Sequence, residues 1–531
     1  MTKKSMRYLA PVLAMSMVLS LTACGGGEKA AETTAAAAGN DAAAATTAAA
    51  AAAGNDAAPA KDTLVIATAN ETPSMTTNLH NAVAGDYMNK MTHNCLFAQD
   101  ADMNIVPDLC ESYEIVSDTE WVFKLHQGVK FHNGAEMKAA DVVASINQCK
   151  ESPEVAQYGK AIASIEAVDD YTVKIITDGP QSGLLSDLTH HGNAVLPADL
   201  IASGHDFNKE PIGTGPYVFK EWKKGESVTL EAFDDYFKGE APIETVIWKI
   251  IPEGSSRTMA LEAGEVDLIV EVESTDVSRL KDNANVTVFD DAGTSHNFMM
   301  INNEKAPFNN KDFRHAMNCA IDKAAIVQVA LNGGGSTCDS MLPTCFPGAT
   351  NEGASTFDPE KAKEYFAASG LNAADCGFDL ICSDDTKLRV GQVIQACLKE
   401  TLGVDITLQS MDLATYLDVT ATGDYDAAIG GYTSSGMLPY AQGVWHSASI
   451  NSSNKTRIAD PYVDELIEKM QATVDPAANE AIVTELNKYL NEQMPQIALY
   501  MRNNTRAYAA DLKGFNVNAG GNTDYSLFSW N

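Results

Sequence analysis

From Asp358 to Gly431 the sequence alternates helix and strand signals on a regular beat, and this alternation constrains the fold more than any other feature. DPEKAKEYFAASG opens on Asp358-Pro359 and closes on Gly370, the pattern of a capped helix. FDLICS (378–383) reads as a strand. Leu388 to Leu402 reads as a helix, with Val390, Val393, Ile394, Cys397 and Leu398 on one stripe. VDITLQ (404–409) is then a strand, LATYLDVTATG (413–423) a helix and YDAAIGG (425–431) a strand. Strand–helix–strand–helix–strand implies parallel strands joined by right-handed crossovers, so the fold class is α/β.

The segment that follows, YTSSGMLPY, therefore leaves the C-terminal end of a parallel strand, where α/β sheets bind ligands. It belongs to a run of 28 residues, 427–454, without a formally charged side chain, in a chain that is 20% charged. Gly430 and Gly431 permit close backbone approach, while Tyr432, Thr433, Ser434 and Ser435 offer adaptable hydrogen-bonding groups. The competing reading is a polar surface loop.

The rest of the body mixes both element types. WVFKLHQ (121–127) and YTVKIIT (171–177) alternate apolar and polar residues as half-buried strands do, and YVFKEW, SVTLEAF and TVIWKII continue the pattern. Ser255 is placed to cap a helix over SRTMALEA, which Gly264 stops. Two more helices, PYVDELIEKMQA (461–472) and one capped by Asp475-Pro476, precede the strand QIALYM (496–501).

The N-terminus carries an address. Lys3, Lys4 and Arg7 precede an apolar run from Tyr8 to Leu21, the layout of an export signal over residues 1–23. The run ends in LTAC, which resembles a bacterial lipobox with Cys24 as the lipidated residue. The alternative is an ordinary signal peptide that happens to carry a cysteine. Residues 24–62 are dominated by Ala, Gly, Thr, Asn and Asp and hold no large apolar side chain, so they cannot build a core. As a flexible tether they would reach about 35 Å.

Residues 63–531 form the working body, large enough for two or three domains. The formal net charge of −34 argues against nucleic acid as a partner. HExxH, GxSxG, Walker A and GxGxxG motifs are absent, so no enzyme class and no cofactor is indicated. Beyond Cys24 there are nine cysteines and no CxxC, which argues against a zinc ribbon. Cys338/Cys345 and Cys376/Cys382 are spaced for small disulfide loops in an exported protein; free buried thiols are the equal alternative.

PDLCESYEIVSDTEWVFKLHQGVKFHNGAEMKAADVVASI (107–146) resembles the signature of the peptide/nickel class (family 5) of extracytoplasmic solute-binding proteins of ABC transporters. Blocks at 165–180, 211–242, 250–269 and 301–327 keep the same order, so the resemblance spans 63–531. It implies a periplasmic-binding-protein-like fold of class II, bilobal with a third, inserted subdomain and a hinge. Lobe I would take 63–97, 200–296 and 500–531, lobe II 98–199 and lobe III 297–499. It also implies a monomeric receptor, tethered to the bacterial cell membrane only through its lipid, that hands a small solute to permease subunits and performs no chemistry.

The implied contacts are Met75 and Thr76 in the first loop, His296 and Asn297 at a lobe crossing, and Tyr432, Thr433, Ser434 and Ser435, with Trp445 a weaker candidate. Metal binding by His296 is a further possibility left open by its position. In peptide-binding members the segment matching GGYTSSGMLPY carries an Asp that pairs with the peptide's ammonium. Here that position is Ser435, and Tyr432 replaces the usual Trp. Either Glu71 or another lobe I acid supplies the anchor, or the solute is not a free peptide. Short peptides lead the expectation. A non-peptide solute, or a surface sensor or structural lipoprotein uncoupled from import, is the alternative.

Overall fold

The computed structural model describes residues 61–530. The expected signal peptide, the lipidation site Cys24 and the tether as far as residue 60 lie outside the described residues.

Two long strands, Val286–Ile301 and Gln496–Ala509, organise the body. They pair antiparallel, with breaks in register between Ala292 and His296 and between Asn297 and Phe298. The largest sheet grows outward from both. Beyond the first lie Ala427–Thr433, Phe378–Cys382 and Ile406–Ser410. Beyond the second lie Leu268–Ile269, Thr63–Thr68, Thr245–Ile250, Ser227–Ala232 and Tyr217–Lys223.

Phe378–Cys382 runs parallel to both Ile406–Ser410 and Ala427–Thr433, the arrangement the alternation predicts. Leu380, Ala427, Ala428 and Ile429 are buried, as expected for parallel strands covered by their crossovers. Helix Asp385–Leu402 begins a turn before the apolar stripe, because Asp384 caps it by accepting from Lys387 N at 2.8 Å. The expected cap at Ser255 is displaced to Glu253, whose two carboxylate oxygens reach Ser255 N (3.2 Å) and Ser256 N (2.6 Å).

A four-stranded antiparallel sheet stands apart, in the order Cys110–Ser117, Glu120–Leu125, Thr172–Thr177, Ile162–Asp169. Its two-residue period sends Trp121, Phe123 and Leu125 of one strand and Val173 and Ile175 of the next into a common core. Helix Ala139–Lys150 adds Val142 and Ile146 to it. A second core surrounds Tyr217, Trp248 and Phe528, and the largest draws, Met103 apart, on side chains between Phe298 and Met501.

No disulfide forms at the two spacings singled out above. All nine described cysteines are free thiols, and Cys338, Cys376 and Cys382 are buried among apolar side chains. They behave as small core residues.

Candidate ligand-binding site

YTSSGMLPY is not one loop. The strand continues through Thr433, Met437–Val444 is a helix, and only Ser434–Gly436 connects them. Ser434 makes the turn, its hydroxyl donating to Gly436 O at 2.8 Å. Met437, Tyr440, Ala441, Val444 and Trp445 are buried, which explains why the stretch carries no charge. Trp445 is core, its indole ring fully enclosed.

At the end of this strand lies a cavity of about 610 Å³. Tyr432, Thr433, Ser434 and Ser435 line one side. The other sides come from the start of helix Val83–Thr92, the segment from Ser186 to His191, and the C-terminal stretch at Gly520 and Asn522. Three elements whose buried faces pack in different cores thus converge on one space: Tyr432 packs on the largest core, Leu184, Leu185 and Leu188 sit in the second, and Tyr87, Met88 and Met91 of the helix sit in the third. Tyr432 stands edge-on to Tyr440 with ring centres 5.6 Å apart, and its hydroxyl rests over Gly443. A Cβ at Gly443 would come within 2.5 Å of that hydroxyl.

The wall opposite Tyr432 is polar and stacked. Tyr158 lies on His190 with centroids 3.5 Å apart, His190 is 4.1 Å from His191, and His191 is 4.7 Å from His80. His191 Nδ1 bonds Asp86 at 3.0 Å and its Nε2 bonds the His80 carbonyl at 3.1 Å. Burial, followed by the neighbouring His191, lowers His80 to about 4 and His190 to about 2, so both rings are neutral near pH 7. Burial opposes the charge on Asp86, yet Lys90 at 3.0 Å and His191 hold its carboxyl below the usual range. Among the described residues no three of His, Cys, Asp and Glu converge as metal ligands.

A family model described as bacterial extracellular solute-binding proteins, family 5 Middle, matches residues 104–454. The chain belongs to that family. Its family 5 fold is α/β, periplasmic-binding-protein-like and bilobal. Family 5 proteins take up small solutes outside the cytoplasm and deliver them to ABC permeases, and solute binding for ABC import is the function class of this chain. Over 447 residues it is 28% identical to the glutathione-binding protein GsiB of Pectobacterium atrosepticum, covering 81% of this chain and 86% of that one. It is 27% identical to heme-binding protein A of Haemophilus influenzae (74% and 78% covered) and 26% identical to the oligopeptide-binding protein AppA of Bacillus subtilis (80% and 83%). Among solved structures, HbpA2 of Haemophilus parasuis superposes with a TM-score of 0.81 at 25% identity, over 88% of this chain and all of that one.

The family 5 chain brings four of the eight sequence-predicted contacts together, Tyr432 to Ser435. Thr433 and Ser435 are exposed there and Ser434 is largely enclosed. Asn297 lines a different cavity of about 860 Å³, beside Tyr500 and Arg502. Met75, Thr76 and His296 line neither of these two. Met75 is core, its backbone N–H held by Asn208 Oδ1 at 2.9 Å, and Thr76 is buried beside it. His296 is fully buried with Nδ1 2.6 Å from the Tyr440 hydroxyl. Burial, with Lys323 nearby, lowers it to about 3, so it packs as a neutral ring. Glu71 accepts from Trp222 Nε1 (2.8 Å) and Gly225 N (2.7 Å), which commits it away from the cavity. Asp86, Asp187, His190 and His191 also line the cavity and went unmarked in the sequence, because no local pattern in DLTHHGN points toward Tyr432.

Proposed function

We propose that this family 5 protein is a lipid-anchored receptor that captures short peptides by closure of its lobes and passes them to an ABC-transporter permease. The carrying observation is the Tyr432 cavity, whose walls come from elements anchored in three different cores and whose volume suits a small solute. Relatives named for glutathione and for oligopeptides support the peptide class. The lobes in this reading are 63–97 with 200–296 and 500–531, then 98–199, then 297–499, and the crossings near 296 and 500 are the hinge. Tyr432, Thr433, Ser434 and Ser435 contact the solute directly, and Asn297 lies near enough to the crossing to sense closure. Met75, Thr76 and His296 support these walls from within. Closure exchanges pocket water for protein contacts, so the permease can tell a loaded receptor from an empty one. The solute leaves unaltered.

A second reading, a non-peptide solute, is favoured by the heme-binding relative at nearly the same identity. Thermal unfolding of the purified protein against free and N-acetylated di- to pentapeptides, oligosaccharides, heme and Ni²⁺ chelates tests both. A ligand present at a hundred times its dissociation constant adds about 2.7 kcal/mol. Stabilisation by peptides upholds the first reading; stabilisation by heme or a chelate alone replaces it with the second. For the anchor, the expected result is palmitate labelling of the wild-type protein in a bacterial host and none of Cys24→Ser. Equal labelling of the two would remove the anchor from the reading.

A further inference from the structure

The carboxylate and imidazole groups lining the Tyr432 cavity are not equally committed. Asp86 is engaged by Lys90 and by His191, each at 3.0 Å. Lys90 also donates to Asn522. His190 accepts from Gly192 N at 3.1 Å and donates to Asn81 Oδ1 at 3.2 Å. Asp187 differs from all of these. Among the described residues its carboxylate has neither an ion-pair nor a hydrogen-bond partner; only its main chain is engaged, the oxygen accepting from Asn193 Nδ2 at 2.9 Å and His190 N at 3.1 Å and the N–H donating to Gly183 O at 2.9 Å. Burial with nothing to offset it pushes the carboxyl up to about 7.

The position of Asp187 relative to the candidate contacts is fixed by packing. It ends the short helix Leu184–Asp187, which lies against the Ser434–Pro439 segment. Ser186 Oγ is 3.5 Å from where a Cβ on Gly436 would sit, and Leu438 Cδ2 is 3.8 Å from the corresponding point on Gly183. Tyr158 and Tyr432 line the same space. A partly buried carboxylate without a partner is destabilising until a cation meets it, and aromatic rings beside it add attraction for that cation.

We propose that Asp187 anchors a primary ammonium group of the solute inside the Tyr432 cavity. The inference rests on the reading of that cavity as the solute site. A free peptide amino terminus is such a group and forms charge-assisted hydrogen bonds with the carboxylate; an N-acetylated peptide offers none. Specificity for the free amine then comes from the inserted part of the chain rather than from the strand end at Ser435.

The test is calorimetric titration of wild-type protein and Asp187→Asn with a pool of free di- to pentapeptides and with its N-acetylated twin. The expected result is at least tenfold preference of the wild type for the free pool, lost in Asp187→Asn. Equal affinity of the two proteins for the free pool, or of the wild type for both pools, overturns the anchor while leaving a peptide receptor. Binding of neither pool overturns the anchor and the peptide reading together. Should Asp187→Asn fail to fold, the wild type still decides. Affinity for the free pool should rise as pH goes from 5 to 7.5, with proton release, and a flat profile overturns the anchor. Asp86, Lys90, His190 and His191 share the cavity and Cys149 lies near Asp187. The acetylated pool separates their titration from that of Asp187.

Discussion

Asp187 and Gly443 carry the sharpest expectations for single side chains. The Asp187 carboxyl is raised from the ordinary 3.8 to about 7 by burial. The folded state therefore holds a proton there that the unfolded chain has released. Stability contributed by this group is complete below about pH 4 and is lost as pH rises through about 7. Asp187→Asn should flatten that part of the unliganded stability profile and raise the melting temperature at pH 8 relative to wild type; urea unfolding between pH 4 and 8 measures it. Gly443 is needed for a different reason. A methyl group there collides with the Tyr432 hydroxyl and ring edge. The overpacking costs about 1–3 kcal/mol, offset by about 1 kcal/mol of helix propensity. Gly443→Ala should thus lower unliganded stability slightly while weakening solute binding, because Tyr432 is pushed into the cavity. Titration of the variant beside Tyr432→Phe separates loss of position from loss of the hydroxyl.

Single elements were legible wherever their signals were local. Helix Pro476–Gln493 starts at Asp475, whose carboxylate accepts from Ala478 N at 2.8 Å, and the Asp-Pro pair announces it in the sequence. Asp475→Ala should cost about 1 kcal/mol, read as a lower denaturation midpoint with unchanged slope. The parallel strands between Phe378 and Thr433 were equally readable, because crossover helices leave only one sensible pairing. Element ends were less so. Glu253 replaced Ser255 as a cap because a carboxylate two residues earlier serves two backbone donors at once. The helix at Met437 was hidden because GMLPYAQGV carries Gly and Pro, both poor helix formers, and its apolar face is set by Tyr440 and Trp445 meeting the core.

At the scale of the whole molecule, two strands passing through the largest sheet dominate. Their register breaks lie beside His296 and Asn297, where the ladder is locally disrupted. Small-angle scattering with the peptide pool that raises the melting temperature should give a smaller radius of gyration than without it; an unchanged radius would remove lobe closure from the mechanism. The free thiols lead to another expectation. Dithiothreitol should leave the melting temperature unchanged, because no described cysteine is bridged and packing alone holds the cores. The sequence by itself determined the α/β class, the order of the family blocks and most strands and helices, since capping, periodicity and crossover geometry act over a few residues. It also marked Tyr432 to Ser435 as candidates, because they stand at the C-terminal end of a parallel strand. Only the tertiary structure decided that Asp86, Asp187 and His191 face that same space and that Met75 and His296 do not. Those groups lie hundreds of residues from Tyr432 along the chain, and their convergence depends on how three cores pack against one another.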